Sequence, residues 1–107
     1  MPLTRDFKAS VQARVRRDPA FRAALMRECV TALLAGELDV GKAVLRDYIN
    51  ATVGFEKLGK ATGTSPKSLM RMFGPKGNPQ ARNLLAVLAH LQRSTRVALE
   101  VRGVAKA

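Results

Sequence analysis

FEKLGKATGTSPKSLMRMFG, residues 55–74, decides how this 107-residue chain is read. It divides into two short helices around a tight turn at Gly63. Leu58 and Thr62 are expected inward on the first helix, and Leu69, Met72 and Phe73 inward on the second. Ser65 is placed to cap the second helix, because a serine hydroxyl can accept a bond from an orphan backbone N–H. Pro66 then falls at the first helical position, where a missing N–H costs nothing and the fixed φ suits a helix. Lys67, Ser68, Met70 and Arg71 are left for an outer face. A helix, a glycine turn and a second helix with outward donors is the arrangement by which helix-turn-helix proteins read DNA.

Charge sets the wider frame. The chain carries 19 Lys/Arg against 8 Asp/Glu, a formal net charge of +11. That excess calls for a polyanion, either nucleic acid or an anionic membrane. Residues 1–53 hold nine Lys/Arg and six Asp/Glu, whereas residues 54–107 hold ten and two. Glu56 is the only acid between Asp47 and Glu100. A surface that is merely solvated mixes its signs, so the one-signed half carrying residues 55–74 favours nucleic acid. With four Phe, one Tyr and no Trp, the core is expected to be Leu, Val, Ala and Met. The chain is long enough to bury roughly 65% of its unfolded surface.

Upstream, Leu3, Phe7, Val11 and Val15 recur every fourth residue, the spacing of one helical face. Arg5, Lys8, Arg14, Arg16 and Arg17 take the other faces. The expectation for residues 1–17 is an amphipathic helix packed on its own domain, with a phosphate-contacting or partner-binding arm as the alternative. Asp18-Pro19 is a second cap-and-proline start, opening a helix to Ala35 that Gly36 closes, with Phe21, Leu25, Cys29 and Leu33 as its stripe. Asp39 is expected to cap a third helix to about Thr52, with Val40, Val44, Leu45, Tyr48 and Ile49 inward. Downstream, Asn78-Pro79 is a third cap-and-proline start. It introduces a helix from Gln80 to about Gln92, apolar at Leu84, Leu85, Val87, Leu88 and Leu91.

Val97, Leu99 and Val101 alternate with Arg96, Ala98, Glu100 and Arg102, which is strand periodicity. A lone strand is not stable in water, so it is expected to pair with its copy in a dimer or to fray. The fold class expected is all-α: a single domain of five or so helices around that helix-turn-helix, with a short C-terminal strand if one forms. The DNA-binding domain spans residues 18–94, the N-terminal helix or arm residues 1–17, and the strand and tail residues 95–107.

Chemistry is expected to be absent. The acids are scattered in capping and surface positions, and His90 has no base, nucleophile or metal-ligand neighbour in sequence. One cysteine makes no internal disulfide, and no Cys/His spacing resembles a zinc site. GPKG at 74–77 is too short for a phosphate loop. No enzyme activity, cofactor or metal is expected. No apolar run is long enough to span a membrane, no secretory signal is legible at the N-terminus, and the expected location is the cytoplasm.

The set TGTSPKSLMRMFGPKGNPQARNLLAVLAHL, residues 62–91, resembles the Cro/C1-type (XRE) regulators. More narrowly it is similar to the HigA-like addiction-module antidotes, the antitoxin branch. The resemblance rests on Thr62-Gly63, on Ser68-Leu69 with Arg71-Met72, and on Gly77-Asn78-Pro79, and it extends over about residues 18–101. Gly59, where alanine is usual, and Thr64, where valine or leucine is common, depart from the pattern. The resemblance implies an all-α DNA-binding domain of the lambda-repressor-like helix-turn-helix type, and a homodimer that binds a double-stranded DNA operator and represses its own two-gene module. It further implies neutralisation by direct binding of a RelE/HigB-like toxin, for which the acids Glu28, Glu37, Asp39 and Asp47 are the available docking groups. Carried onto this sequence, Ser65, Lys67, Ser68 and Arg71 fall on the recognition helix, and Lys76, Asn78, Gln80 and Arg82 on the following loop and helix start, facing phosphates. Two alternatives are a protein-interaction module and a nonspecific nucleic-acid binder.

Overall fold

In the computed structural model, residues 5–107 are described, with side chains from Ala9 onward. Leu3 and the side chain of Phe7 therefore lie outside the described residues. The described residues are all-α, with six helices in order: α1 Arg5–Arg17, α2 Pro19–Leu34, α3 Leu38–Ala51, α4 Gly54–Thr62, α5 Pro66–Met72 and α6 Ala81–Thr95. Helix α1 packs on α2 and α3, α2 lies along α3, and α4 bridges α3, α5 and α6.

Local chemistry accounts for most of the boundaries. Asp18 caps α2, its carboxylate accepting from the N–H groups of Ala20 and Phe21 at 3.1 and 3.2 Å. The Phe21 bond is the largest of the causes that hold its carboxyl below the usual range. Gly36 ends this segment in the left-handed region, φ 82°, where glycine has no Cβ to clash. Ser65 accepts from the N–H of Ser68 at 3.2 Å, so α5 begins on a side-chain cap with Pro66 behind it.

The core is one cluster built from α2 to α6. Met26, Cys29, Leu45, Tyr48, Ile49, Leu58, Leu69, Phe73, Val87 and Leu91 are fully or almost fully enclosed. Each apolar side chain removed from water contributes about 1.5–3 kcal/mol, and the two largest of those fully buried are aromatic, Tyr48 and Phe73. Burial pushes the Cys29 thiol up from 9.0 to about 11. The thiol donates to the Gly41 carbonyl at 3.4 Å. Tyr48 also rises, again through burial. Its hydroxyl lies 2.6 Å from Thr95 Oγ1, which in turn donates to Leu91 O. Since the single threonine proton is committed to that carbonyl, Tyr48 must be the donor to Thr95.

Basic side chains close several helix ends. Arg22, on α2, donates from Nε to Thr95 O at 3.1 Å and from Nη1 to Val15 O at 2.9 Å, so it satisfies last-turn carbonyls of both α6 and α1. Arg16 reaches Ala51 O at the end of α3. These C-terminal carbonyls have no intrahelical partner and carry the negative end of the helix dipole, so a guanidinium satisfies both needs. Of the described N-terminal stripe, Val15 is buried and Val11 half-buried, and α1 packs on α2 and α3.

Four expectations need correction. No strand forms among the described residues. The period-two signal was real, but Val97 and Leu99 turn inward onto the core, and the Leu99 N–H donates to Gln92 Oε1 at 3.0 Å. The extended tail packs on a helical core, with no second strand beside it. Asp39 is not the cap of α3: it lies within the first turn of a helix that starts at Leu38, with Glu37 in the cap position and no side-chain bond there. Asn78 does not cap α6, which begins at Ala81 after Gln80; Asn78 and Pro79 belong to the loop. Val40 and Leu85, expected inward, are both exposed, because each lies at the edge of its stripe where no neighbouring element covers it.

Candidate nucleic-acid interface

Helices α4 and α5 meet at the turn Gly63–Ser65. Gly63 takes φ 73° and ψ 18° and returns its N–H to Gly59 O at 2.8 Å, the left-handed cap that favours glycine. Thr64 N–H bonds the same carbonyl at 3.2 Å. The turn folds so tightly over α4 that a Cβ on Gly59 would stand 2.6 Å from Thr64 O. Glycine at this position is therefore a steric requirement of this turn.

Leu69 and Phe73 anchor α5 to the core, and Met72 packs half-buried against it. Lys67, Ser68, Met70 and Arg71 are all exposed. Ser65 is not free to contact a base with an unengaged hydroxyl. It accepts the Ser68 N–H and donates to Ser68 Oγ at 2.9 Å, leaving the Ser68 proton available outward.

The loop after α5 is held from behind by α3. Lys42 is 3% exposed, and its Nζ donates to Gly74 O at 3.0 Å and Gly77 O at 2.6 Å. Arg46 Nη1 donates to Phe73 O at 2.9 Å. Two cations of α3 thus satisfy three carbonyls at the end of α5 and in the loop. Gly77 lies so close to the carbonyls of Arg71 and Met72 that no side chain could be accommodated there. The loop is consequently fixed against α5.

That clamp forms a groove of about 370 Å³ between α5 and the start of α6. Ser68 and Arg71 line it from α5, Lys76 and Asn78 from the loop, and Gln80 from the head of α6. Five of the eight residues expected to bind DNA are thus brought together. Lys67 stands outside the groove on the outer face of α5, Arg82 is exposed on the first turn of α6, and Ser65 is occupied as a cap. Asn83 also lines the groove and was missed. Its spacing of three from Gln80 puts both on one helical face, which was the available signal. No side chain caps the first-turn N–H groups of α6. Unsatisfied N–H groups at such a terminus, with Lys76 and Arg82 nearby in sequence, suit an anion.

The electrostatics are one-sided. Among the described residues the ion pairs are Arg14–Asp18 and Lys42–Asp39, each at 3.5 Å. Neither involves Lys67, Arg71, Lys76 or Arg82, so among the described residues these four cations are paired with no carboxylate. Among the described residues there is also no cluster of His, Cys, Asp or Glu able to hold a metal, and no helix is long and apolar enough to cross a membrane. No protein-family description, curated protein or solved structure matches the chain.

Proposed function

We propose that the chain is a sequence-specific double-stranded DNA-binding regulator, acting as a homodimeric repressor in the cytoplasm. The observation that carries this reading is the groove in which Ser68 and Arg71 of α5 stand beside Lys76, Asn78 and Gln80, with no acid paired to its cations. Lys and Arg contacts to phosphates supply most of the affinity and its salt dependence. Lys67 and Arg71 project from α5 at the spacing of one helical turn and suit the O6 and N7 acceptors of guanine, each good contact being worth about 1–3 kcal/mol of discrimination. Lys76 belongs to the backbone-contacting set.

Footprinting and competition binding with two variants test this division. Arg71→Ala should relax base preference at one position. Lys76→Ala should weaken all duplexes alike and reduce the salt slope by about one. An unchanged site preference in Arg71→Ala would remove that residue from base readout, and salt-insensitive binding would remove the electrostatic basis of the reading.

A second role, as the antitoxin of a two-gene module, is favoured by one further observation. Glu28, Glu37 and Val40 line, with Arg27, an open depression of about 690 Å³ between α2 and α3, with exposed Leu34 and Leu38 nearby in sequence. Lys42 and Arg46, the cations of that region of α3, are engaged with backbone carbonyls. A rim with two acids against one cation, Arg27, beside apolar contacts favours a basic partner such as a RelE/HigB-like toxin. Glu28→Lys with Glu37→Lys should abolish co-purification with the product of the adjacent gene while leaving DNA binding intact. Retained co-purification would move the partner to another surface.

A further inference from the structure

We infer that Met70 reads the 5-methyl group of a thymine, an inference that rests on α5 being the DNA-reading helix. Successive residues advance by about 100° around an α-helix. Measured from Leu69, which points into the core, Lys67 and Arg71 fall nearly opposite, while Ser68 and Met70 fall on opposite flanks. The Ser68 flank closes onto the loop: Ser68, Arg71 and Met72 all line the groove, and Met70 does not. The Met70 flank is open, and its side chain is 49% exposed.

The outer face of α5 therefore has a cationic centre, one polar flank and one apolar flank. An isolated exposed methionine would need no explanation. Here it projects from the helix whose neighbouring side chains are the cations proposed to approach the major groove. In that groove the thymine methyl is the apolar group presented at a base edge, and apolar side chains are its match. Methionine's three rotatable bonds let the thioether follow a methyl whose position varies with docking. Lys67 and Arg71, on either side of the outward direction, bring the polyanion to it.

Replacing thymine by uracil deletes that methyl and nothing else, which makes the test direct. A duplex is first enriched from a random pool with the intact protein, and each thymine is then changed to uracil singly. Covering one methyl-sized group contributes about 0.8 kcal/mol, so at one thymine per half-site the intact protein should bind about fourfold more weakly. Met70→Ala should show the weaker affinity already with thymine and no further loss with uracil, and Met70→Leu should restore the uracil penalty. Circular dichroism establishes that both variants fold. Equal uracil penalties in the intact protein and Met70→Ala, or no penalty at any thymine, would overturn the inference while leaving DNA binding standing. Failure to enrich any duplex would overturn the DNA-binding reading and this inference with it.

Discussion

Replacing Lys42 by methionine removes a charge without removing bulk. The side chain is nearly sealed, and Nζ is the donor to the carbonyls of Gly74 and Gly77. Methionine can refill the space but cannot donate, and the two carbonyls stay where they are. A hydrogen bond to a charged group contributes about 1.5–3 kcal/mol net. The thioether gains some burial and the ammonium no longer has to be desolvated, which offsets part of the loss. A net destabilisation of about 2–4 kcal/mol follows, or roughly 10–25 °C in Tm for a domain of this size. The neighbouring carboxylate provides the control. Asp39 is 91% exposed and 3.5 Å from Nζ, a geometry worth at most ~1 kcal/mol. Asp39→Asn should therefore be nearly silent in urea unfolding monitored by circular dichroism, while Lys42→Met is not. If Lys42→Met lies within about 0.5 kcal/mol of the intact protein, or if Asp39→Asn costs as much as Lys42→Met, the carbonyl clamp is not what Lys42 contributes. The clamp also holds the loop bearing Lys76, so duplex affinity should fall with Lys42→Met under conditions where the protein remains folded.

Three further outcomes are expected. Gly59→Ala gains about 1 kcal/mol of helix propensity, yet its Cβ would meet Thr64 O at 2.6 Å; backbone cannot step aside cheaply, so thermal melts should show a net loss of about 1–2 kcal/mol. Thr95→Val should cost more than Tyr48→Phe in urea titrations, because the first leaves the enclosed Tyr48 hydroxyl without its acceptor whereas the second leaves Thr95 still bonded to Leu91 O; an unsatisfied buried group costs about 1–3 kcal/mol. Alkaline conditions should destabilise the fold through Cys29, whose thiol ionises at about 11 in the folded protein against 9.0 ordinarily. The unfolded chain loses that proton first, so the contribution is complete below pH 9 and is lost as pH rises toward 11. Tyr48 acts in the same direction. Urea midpoints between pH 8 and 10.5 should converge for Cys29→Ala and the intact protein; parallel lines would show that the thiol does not titrate differently in the two states.

Much of this architecture was legible because two chemical signals repeat. Asp18-Pro19 and Ser65-Pro66 each join an acceptor side chain to a residue that tolerates the first helical position, and both caps are present. Asn78-Pro79 has the same letters, but the loop is fixed from α3 through Lys42 before α6 begins, and tertiary clamping overrode local capping. The strand signal failed for a related reason: alternation reports which residues face the core, and a helical core can supply that face as well as a sheet. The groove's principal residues were legible from α5 and the loop. Its support was not, since a lysine within α3 reads as solvated surface unless its phase is followed. Lys42 stands three before Leu45 and seven before Ile49, on the inward stripe, and that phase was the clue.

Arg22 has a bearing on how the chain reaches this state. Its guanidinium joins the end of α1 to the end of α6, partners 73 positions apart in the case of Thr95. Helices and their immediate neighbours can assemble through short loops, but this clasp must wait until both distant ends have docked, since loop closure has to be met before the contact returns anything. It is therefore expected to form late in folding and, in reverse, to part early in opening. Weakening it would leave the folding rate almost untouched and would chiefly speed unfolding, so the lifetime of the native protein rests on one side chain more than its rate of formation does.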